Sequence, residues 1–198
     1  MPDSVSYSIF SDSAPEHIWR GVQELFVESF SSAPYFEDVT VLSTILEWGP
    51  EHLGQGRGRL VVAKRGELLA GFALGNALSG DSSWQLILTR LSESSEEAAW
   101  ALANQEEALI VHELAVRRSE RGNGIASICM TALLESRPES QTFIGVYDRA
   151  LDAASMYRHW QLATIGQVPI RNGAVNLNVL NGRTAEISAR TKLNPPRR

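Results

Sequence analysis

The 198-residue sequence holds one cysteine, Cys129, two lysines, Lys64 and Lys192, and no apolar run approaching the roughly 18 residues that a membrane helix needs. A lone cysteine excludes an intrachain disulfide, so packing has to hold the fold. Cys129 falls on an apolar helical row and is expected to pack rather than react. Residues 1–12 carry neither a basic start nor an apolar stretch of signal length, which predicts a cytoplasmic protein with no membrane contact. Basic charge is also short: the formal net charge is −5 and the pI about 5.4, so no electrostatic footprint for nucleic acid exists. An acidic surface favours cationic small molecules instead. Hydrophobic residues at 43% and charged residues at 21% describe a folded chain rather than a disordered one. The length is that of one domain, with no internal repeat, and the reading places that domain over 1–182 with a frayed tail at 183–198.

What is present centres on Glu107 to Ser136. Ala108 to Val116 is apolar and β-branched around His112 and Glu113, the pattern of a mostly buried strand. Ile125, Cys129 and Leu133 on one row and Ala126, Met130 and Leu134 on the next have the spacing of a helical stripe. Between them lies Arg121-Gly122-Asn123-Gly124-Ile125-Ala126. Two glycines at a strand-to-helix turn let backbone approach a ligand, and the first amides of the helix have no partner within it. Such a turn is an anion cradle. It is not a nucleotidase phosphate loop, because Gly-Lys-Ser/Thr is missing, and Ser127 breaks the three-glycine dinucleotide fingerprint.

The run Leu114-Ala115-Val116, five residues, then Arg121-x-x-Gly124-x-Ala126 resembles the acyl-CoA motif of the GCN5-related N-acetyltransferases, Gln/Arg-x-x-Gly-x-Gly/Ala. The resemblance implies that amides of Arg121, Gly122, Asn123, Gly124, Ile125 and Ala126 hold the pyrophosphate of acetyl-CoA, and that Leu114, Ala115 and Val116 pair with its pantetheine arm. It extends to Val61-Val-Ala-Lys-Arg-Gly-Glu-Leu-Leu-Ala-Gly-Phe-Ala73, similar to the family's second and third strands. The implied fold is α/β, a central mixed and mostly antiparallel sheet of about seven strands flanked by helices.

In chain order, Val5 to Phe10 predicts a strand, and Ser13-Ala14-Pro15-Glu16 a capping box opening a helix to about Phe30. A second helix is expected from Asp38 to Trp48, with Val41, Ile45 and Trp48 inward, stopped by Gly49-Pro50 and followed by loop over 51–58. A hairpin covers Leu60 to Ala77. Residues 78–106 form an insertion between strands 3 and 4, with a short helix behind Ser94-Ser95-Glu96-Glu97. Its Trp84 and Trp100, with Glu93, Glu96, Glu97, Glu106 and Glu107, either line a pocket for a cationic acceptor or pack the insertion down and face water. Thr142 to Tyr147 is a strand, Leu151 to Trp160 a helix, and Leu162 to Ile170 and Ala174 to Leu180 are strands joined by a two-residue Asn172-Gly173 turn.

Acetyl transfer to an amine needs a held thioester, a neutral nucleophile and a proton for the thiolate. An alkyl amine has a pKa near 10, so only about one in a thousand molecules is neutral at pH 7 and a base matters. In the family a glutamate directly before Leu-x-Val serves, which points to Glu113; strand alternation sends His112 to the other face. Ala153-x-x-x-Tyr157 resembles the family's Asn-x-x-Ala-x-x-x-Tyr helix and implies Tyr157 as acid, although Ala150 replaces the asparagine and Gln161-Leu162 the following Gly-Phe. The implied enzyme is an acetyl-CoA-dependent N-acetyltransferase acting on a primary amine of a small, cationic molecule, without a metal, and with a homodimer possible. Two alternatives stand beside it: a protein N-terminal or lysine acetyltransferase, and a non-catalytic acyl-CoA-binding regulatory module.

Overall fold

Period-two alternation decides which helices cover which side of the sheet. In β2 (Arg59–Arg65), Val61 and Ala63 face one layer and Leu60 and Val62 the other. The computed structural model describes residues 4–55 and 57–193. The remaining elements are β1 (Val5–Phe10), α1 (Glu16–Phe30), α2 (Val39–Ser43), α3 (Ile45–Gly54), β3 (Leu68–Ala77), α4 (Ser82–Leu91), α5 (Glu96–Ala103), β4 (Ala108–Val116) and α6 (Ile125–Glu135). They are followed by β5 (Gln141–Tyr147), α7 (Leu151–His159), β6 (Ala163–Ile170), β7 (Val175–Arg183) and α8 (Thr184–Lys192).

The seven strands run in the order β1-β2-β3-β4-β5-β7-β6. Only β4 and β5 are parallel, joined through α6, and every other neighbouring pair is antiparallel. That is the expected mixed, mostly antiparallel α/β layer with a helical insertion between strands 3 and 4. The parallel pairing matches only Ala108–Val111 with Gln141–Ile144. Beyond Val111 the two central strands part.

On one face Ile125, Cys129 and Leu133 of α6 pack on Val61, Ala63, Leu109 and Val111. On the other, Val22, Leu25 and Phe26 of α1 and Ile45 and Leu53 of α3 pack on Leu60, Val62, Phe72 and Leu74. A third cluster joins Trp84, Leu88 and Leu91 of α4 to Ile110, Phe143, Val168 and Val179.

Several local expectations change. Ser13 does not cap α1; its amide turns back to the Ser11 carbonyl, and Pro15 takes the cap position with no side-chain bond. The single helix expected over 38–48 is two, breaking at Thr44, and Val41 is exposed. Gly49-Pro50 does not stop α3. A Cβ at Gly49 would lie 2.6 Å from Trp19, so that glycine serves close packing, while buried Ile45 and Leu53 hold the helix across Pro50. Helix therefore occupies much of the expected 51–58 loop; Gly56 lies outside the described residues.

The insertion contains two helices. Asp81 caps α4 by accepting from the Trp84 amide at 2.9 Å, and Ser95 caps α5 by accepting from Ala98. The connection from β6 to β7 is longer than two residues, with Arg171, Asn172 and Gly173 all at positive φ. Finally, the tail expected from 183 begins as the end of β7 and continues as α8. Ile187 is fully buried, Thr131 Oγ1 donates to Thr191 Oγ1 at 2.6 Å, and Lys192 pairs with Glu135. The apolar residues of α8 are too few for a periodicity signal, and tertiary packing supplies the helix. Pro195 to Arg198 of that expected tail lie outside the described residues.

Candidate active site

The parting of β4 and β5 opens two cavities. The larger, about 920 Å³, is lined by Leu114, Ala115 and Val116 of β4, by Arg121, Gly122, Gly124, Ile125 and Ala126 of the turn, and by Ala150 to Ala153, Met156, His159 and Trp160. Of the residues read as coenzyme-binding, all but Asn123 lie on this wall. Gly122 (φ 78°) and Gly124 (φ 75°) are left-handed. A Cβ on Gly122 would meet nothing within 4 Å, so conformation rather than space demands glycine there. Gly124 caps α6, and the Ile128 amide makes the helix's first bond, to the Gly124 carbonyl. The amides of Ile125, Ala126 and Ser127 precede it, free of helical partners and at the positive end of the dipole.

Neighbouring side chains brace this turn. Arg65 Nε donates to Glu120 Oε2 at 2.9 Å. Glu28 of α1 accepts from Arg117 Nη1 at 2.6 Å and from the Arg118 amide at 2.9 Å.

The second cavity, about 400 Å³, shares Phe30, Tyr35 and Leu114 with the first, so the two abut. Glu113 and Tyr157 both line it. So does His112, contrary to strict alternation. Leu74 pairs with Glu113 and Gly75 with Val111, which leaves His112 as the extra residue of a β-bulge. Burial pushes the Glu113 carboxyl up to about 8. Burial also raises the hydroxyls of Tyr35, Tyr147 and Tyr157, keeping all three neutral donors at neutral pH. Burial lowers the basicity of His112, against the pull of Asp81.

The insertion contributes less than one reading proposed. Trp84 reaches the second cavity, but Trp100 is exposed, and Glu93, Glu96, Glu97, Glu106 and Glu107 face solvent. The acidic groups at the cavity are instead Glu113 and Glu37, the latter accepting from Tyr147 Oη at 2.8 Å and from Arg171. Arg149 and Arg171 each stand 5.7 Å from the Tyr147 ring centroid. Glu37 and Arg171 are 134 residues apart, and no spacing rule joins them. Cys129 is buried and its thiol is pushed up to about 12 by burial, in keeping with a packing role. No helix among the described residues is long and apolar enough to cross a membrane.

Among solved structures, the chain is similar to yncA of Salmonella typhimurium, a candidate acetyltransferase solved with its cofactor acetyl-CoA, at TM-score 0.60 and 11% identity over 91% of this chain and 94% of that one. A candidate phosphinothricin N-acetyltransferase aligns at TM-score 0.62 and 15% identity, over 90% and 99%. The ribosomal-protein-S18-alanine N-acetyltransferase of Escherichia coli aligns at 0.59 and 9%, over 90% and 94%. These identities establish a shared fold. No curated protein matches the sequence. The sequence model of the acetyltransferase (GNAT) family matches residues 19–160, which takes in β2 to β5, α7, the larger cavity and the second apart from Ile170, Arg171 and Leu177. The chain belongs to the GCN5-related N-acetyltransferase family and is an acyl-CoA N-acyltransferase.

Proposed function

We propose that the protein transfers the acetyl group of acetyl-CoA directly to a primary amine of a small, cationic acceptor of the aminoglycoside, polyamine or amino-acid kind. The observation that carries this reading is the pair of abutting cavities, one lined by the glycine turn and the other by Glu113 and Tyr157. The left-handed glycines and unpartnered amides of Ile125 to Ser127 fit a pyrophosphate, and Leu114 to Val116 fit an extended arm. Bound there, acetyl-CoA supplies an activated carbonyl carbon and a thiolate leaving group. The second cavity holds the acceptor, whose positive charge is met by Glu113 and by Glu37, the latter shared with Arg171, beside Trp48 and Trp84. Glu113 removes a proton from the ammonium so that the nitrogen lone pair can attack. The Tyr157 hydroxyl donates a proton toward the departing sulfur. A volume near 400 Å³ suits a small molecule.

The test is thiol release from acetyl-CoA against a panel of polyamines, aminoglycosides, amino acids and short peptides, with wild type and Glu113→Gln. Release with one small-amine class, reduced about 10²-fold or more by Glu113→Gln while coenzyme A still binds, supports the reading. Turnover of peptides alone gives the acceptor to a protein. Tight coenzyme binding with no release from any amine favours a regulatory acyl-CoA-binding module.

A further inference from the structure

Behind the wall of the second cavity, four polar side chains from separate parts of the chain converge: His52 of α3, Asn76 of β3, Asp81 ahead of α4 and His112 at the β4 bulge. His52 Nδ1 lies 2.9 Å from the Trp48 carbonyl. A carbonyl only accepts, so Nδ1 carries the proton and Nε2 is left as a bare lone pair in the neutral ring. That Nε2 faces Asp81 Oδ2 at 3.9 Å.

His112 Nε2 lies 2.8 Å from the same Asp81 oxygen and 2.7 Å from Asn76 Oδ1. One ring N–H serves one oxygen at a time. Its directed bond goes to Asn76, and Asp81 Oδ2, on a side chain only 2% exposed, shares that one proton from 2.8 Å with no donor of its own. The other carboxylate oxygen, Oδ1, is already spent on the Trp84 amide. The cluster therefore offers lone pairs from the His52 imidazole, a carboxylate and an amide oxygen, and a further one from His112 Nε2 once its proton moves to Nδ1, with one imidazole N–H to serve them. Buried polar atoms left in that condition are unusual and point to a missing partner.

We propose that His52 Nε2, Asp81 Oδ2 and His112 Nε2 bind a divalent transition-metal ion of the Zn²⁺ class, with Asn76 Oδ1 completing the set. The ligand atoms of the two histidines and the aspartate lie within 4.8 Å of one another. Bonds of about 2.1 Å in tetrahedral geometry set ligand atoms roughly 3.4 Å apart, and the 2.8 and 3.9 Å separations straddle that edge. Two imidazoles and one carboxylate are a borderline-soft set, which suits Zn²⁺ or Co²⁺ better than Mg²⁺ or Ca²⁺. The second coordination layer is in place: the Trp48 carbonyl fixes the His52 ring and the Trp84 amide fixes the Asp81 carboxylate. The His52 side chain is 30% exposed and gives the ion a way in. Such an ion would tie α3, the insertion and the β4 bulge together beside the acceptor cavity. The bulge acquires a reason: it turns His112 toward Asp81.

The experiment uses untagged full-length protein, stripped with chelator and titrated with Co²⁺, reading visible absorption, with Zn²⁺ added afterwards as competitor. Wild type is expected to develop the intense band of four-coordinate Co²⁺, saturating at one equivalent and bleached by Zn²⁺. Asp81→Asn keeps the α4 cap and removes the charge. His52→Gln removes one nitrogen at a partly exposed position. Each should weaken binding by more than about tenfold, since an outer-layer partner alone is worth 10- to 100-fold. His17→Gln, an exposed histidine of α1, should leave it unchanged. No saturable band in wild type, or a band that survives both Asp81→Asn and His52→Gln, overturns the proposal. Circular dichroism of the metal-free variants shows that they fold, and His52→Gln decides the matter if Asp81→Asn does not. Coenzyme A titrated into the same samples reports on the acetyltransferase reading separately.

Discussion

Arg65 Nε donates to Glu120 Oε2 across 2.9 Å, joining the end of β2 to the turn that opens α6. The two residues are 55 apart in sequence, and Glu120 is buried. The contact braces the backbone whose amides are assigned to the pyrophosphate. Glu120→Ala removes a charge-assisted bond worth about 1.5–3 kcal/mol. Coenzyme A affinity, read by isothermal titration, should drop several-fold, and unchanged affinity would show that the turn holds itself.

Gly124→Ala places a Cβ on a residue at φ 75°. A left-handed L-residue costs roughly 1–2 kcal/mol, which corresponds to a loss of about 5- to 30-fold in coenzyme A binding if the turn must keep its shape. Gly122→Ala, with open space around it, should lose a similar amount through conformation alone.

Tyr157→Phe keeps the ring against Trp160, at a centroid distance of 5.9 Å, and removes the hydroxyl. The turnover number should fall by about 10²-fold while KM for acetyl-CoA stays within about twofold. Equal losses in both parameters would mean that Tyr157 serves to pack the cavity.

Cys129 gives a pH-dependent prediction. An ordinary thiol, with pKa near 8.5, is partly thiolate at pH 8. Burial raises the Cys129 thiol to about 12, so the reactive form is absent from the native state throughout the neutral and mildly alkaline range. Alkylation at pH 8 should therefore track unfolding, slow in buffer and fast in denaturant. Rapid labelling of the native protein would contradict the buried placement.

Ile187→Ala tests whether α8 is integral. Ile187 is fully buried against the α6 layer, and truncation there costs about 2–4 kcal/mol. A denaturant midpoint unchanged from wild type would make α8 an accessory.

The motif strand, the turn and α6 were legible because three local signals agree there: a β-branched apolar run, two glycines and a helical stripe. Strand ends at β2, β3 and β5 follow from the same alternation. What escaped depends on distant partners. Pro50 reads as a stop, yet α3 is carried past it by the burial of Leu53. Asp81-Ser82-Ser83-Trp84 lacks the glutamate of a capping box, so α4 was hidden and with it the carboxylate beside His112. The β4 bulge is invisible to a period-two reading because it is defined by β3, across the ladder. Glu113 and Tyr157 were named from resemblance to a motif, whereas Glu37 and Arg171 come together only in the folded chain.

The early parting of β4 from β5 has a consequence for how the protein manages its unsatisfied backbone. An open strand edge on the outside of a sheet is a template for unwanted pairing between molecules. After Val111, β4 keeps β3 on one flank and loses β5 on the other, so it has such an edge in the middle of the sheet. There the cleft between helices shields it from the edges of other molecules. On the proposed function, its peptide groups would receive a slender, extended guest that lies along them as an eighth strand.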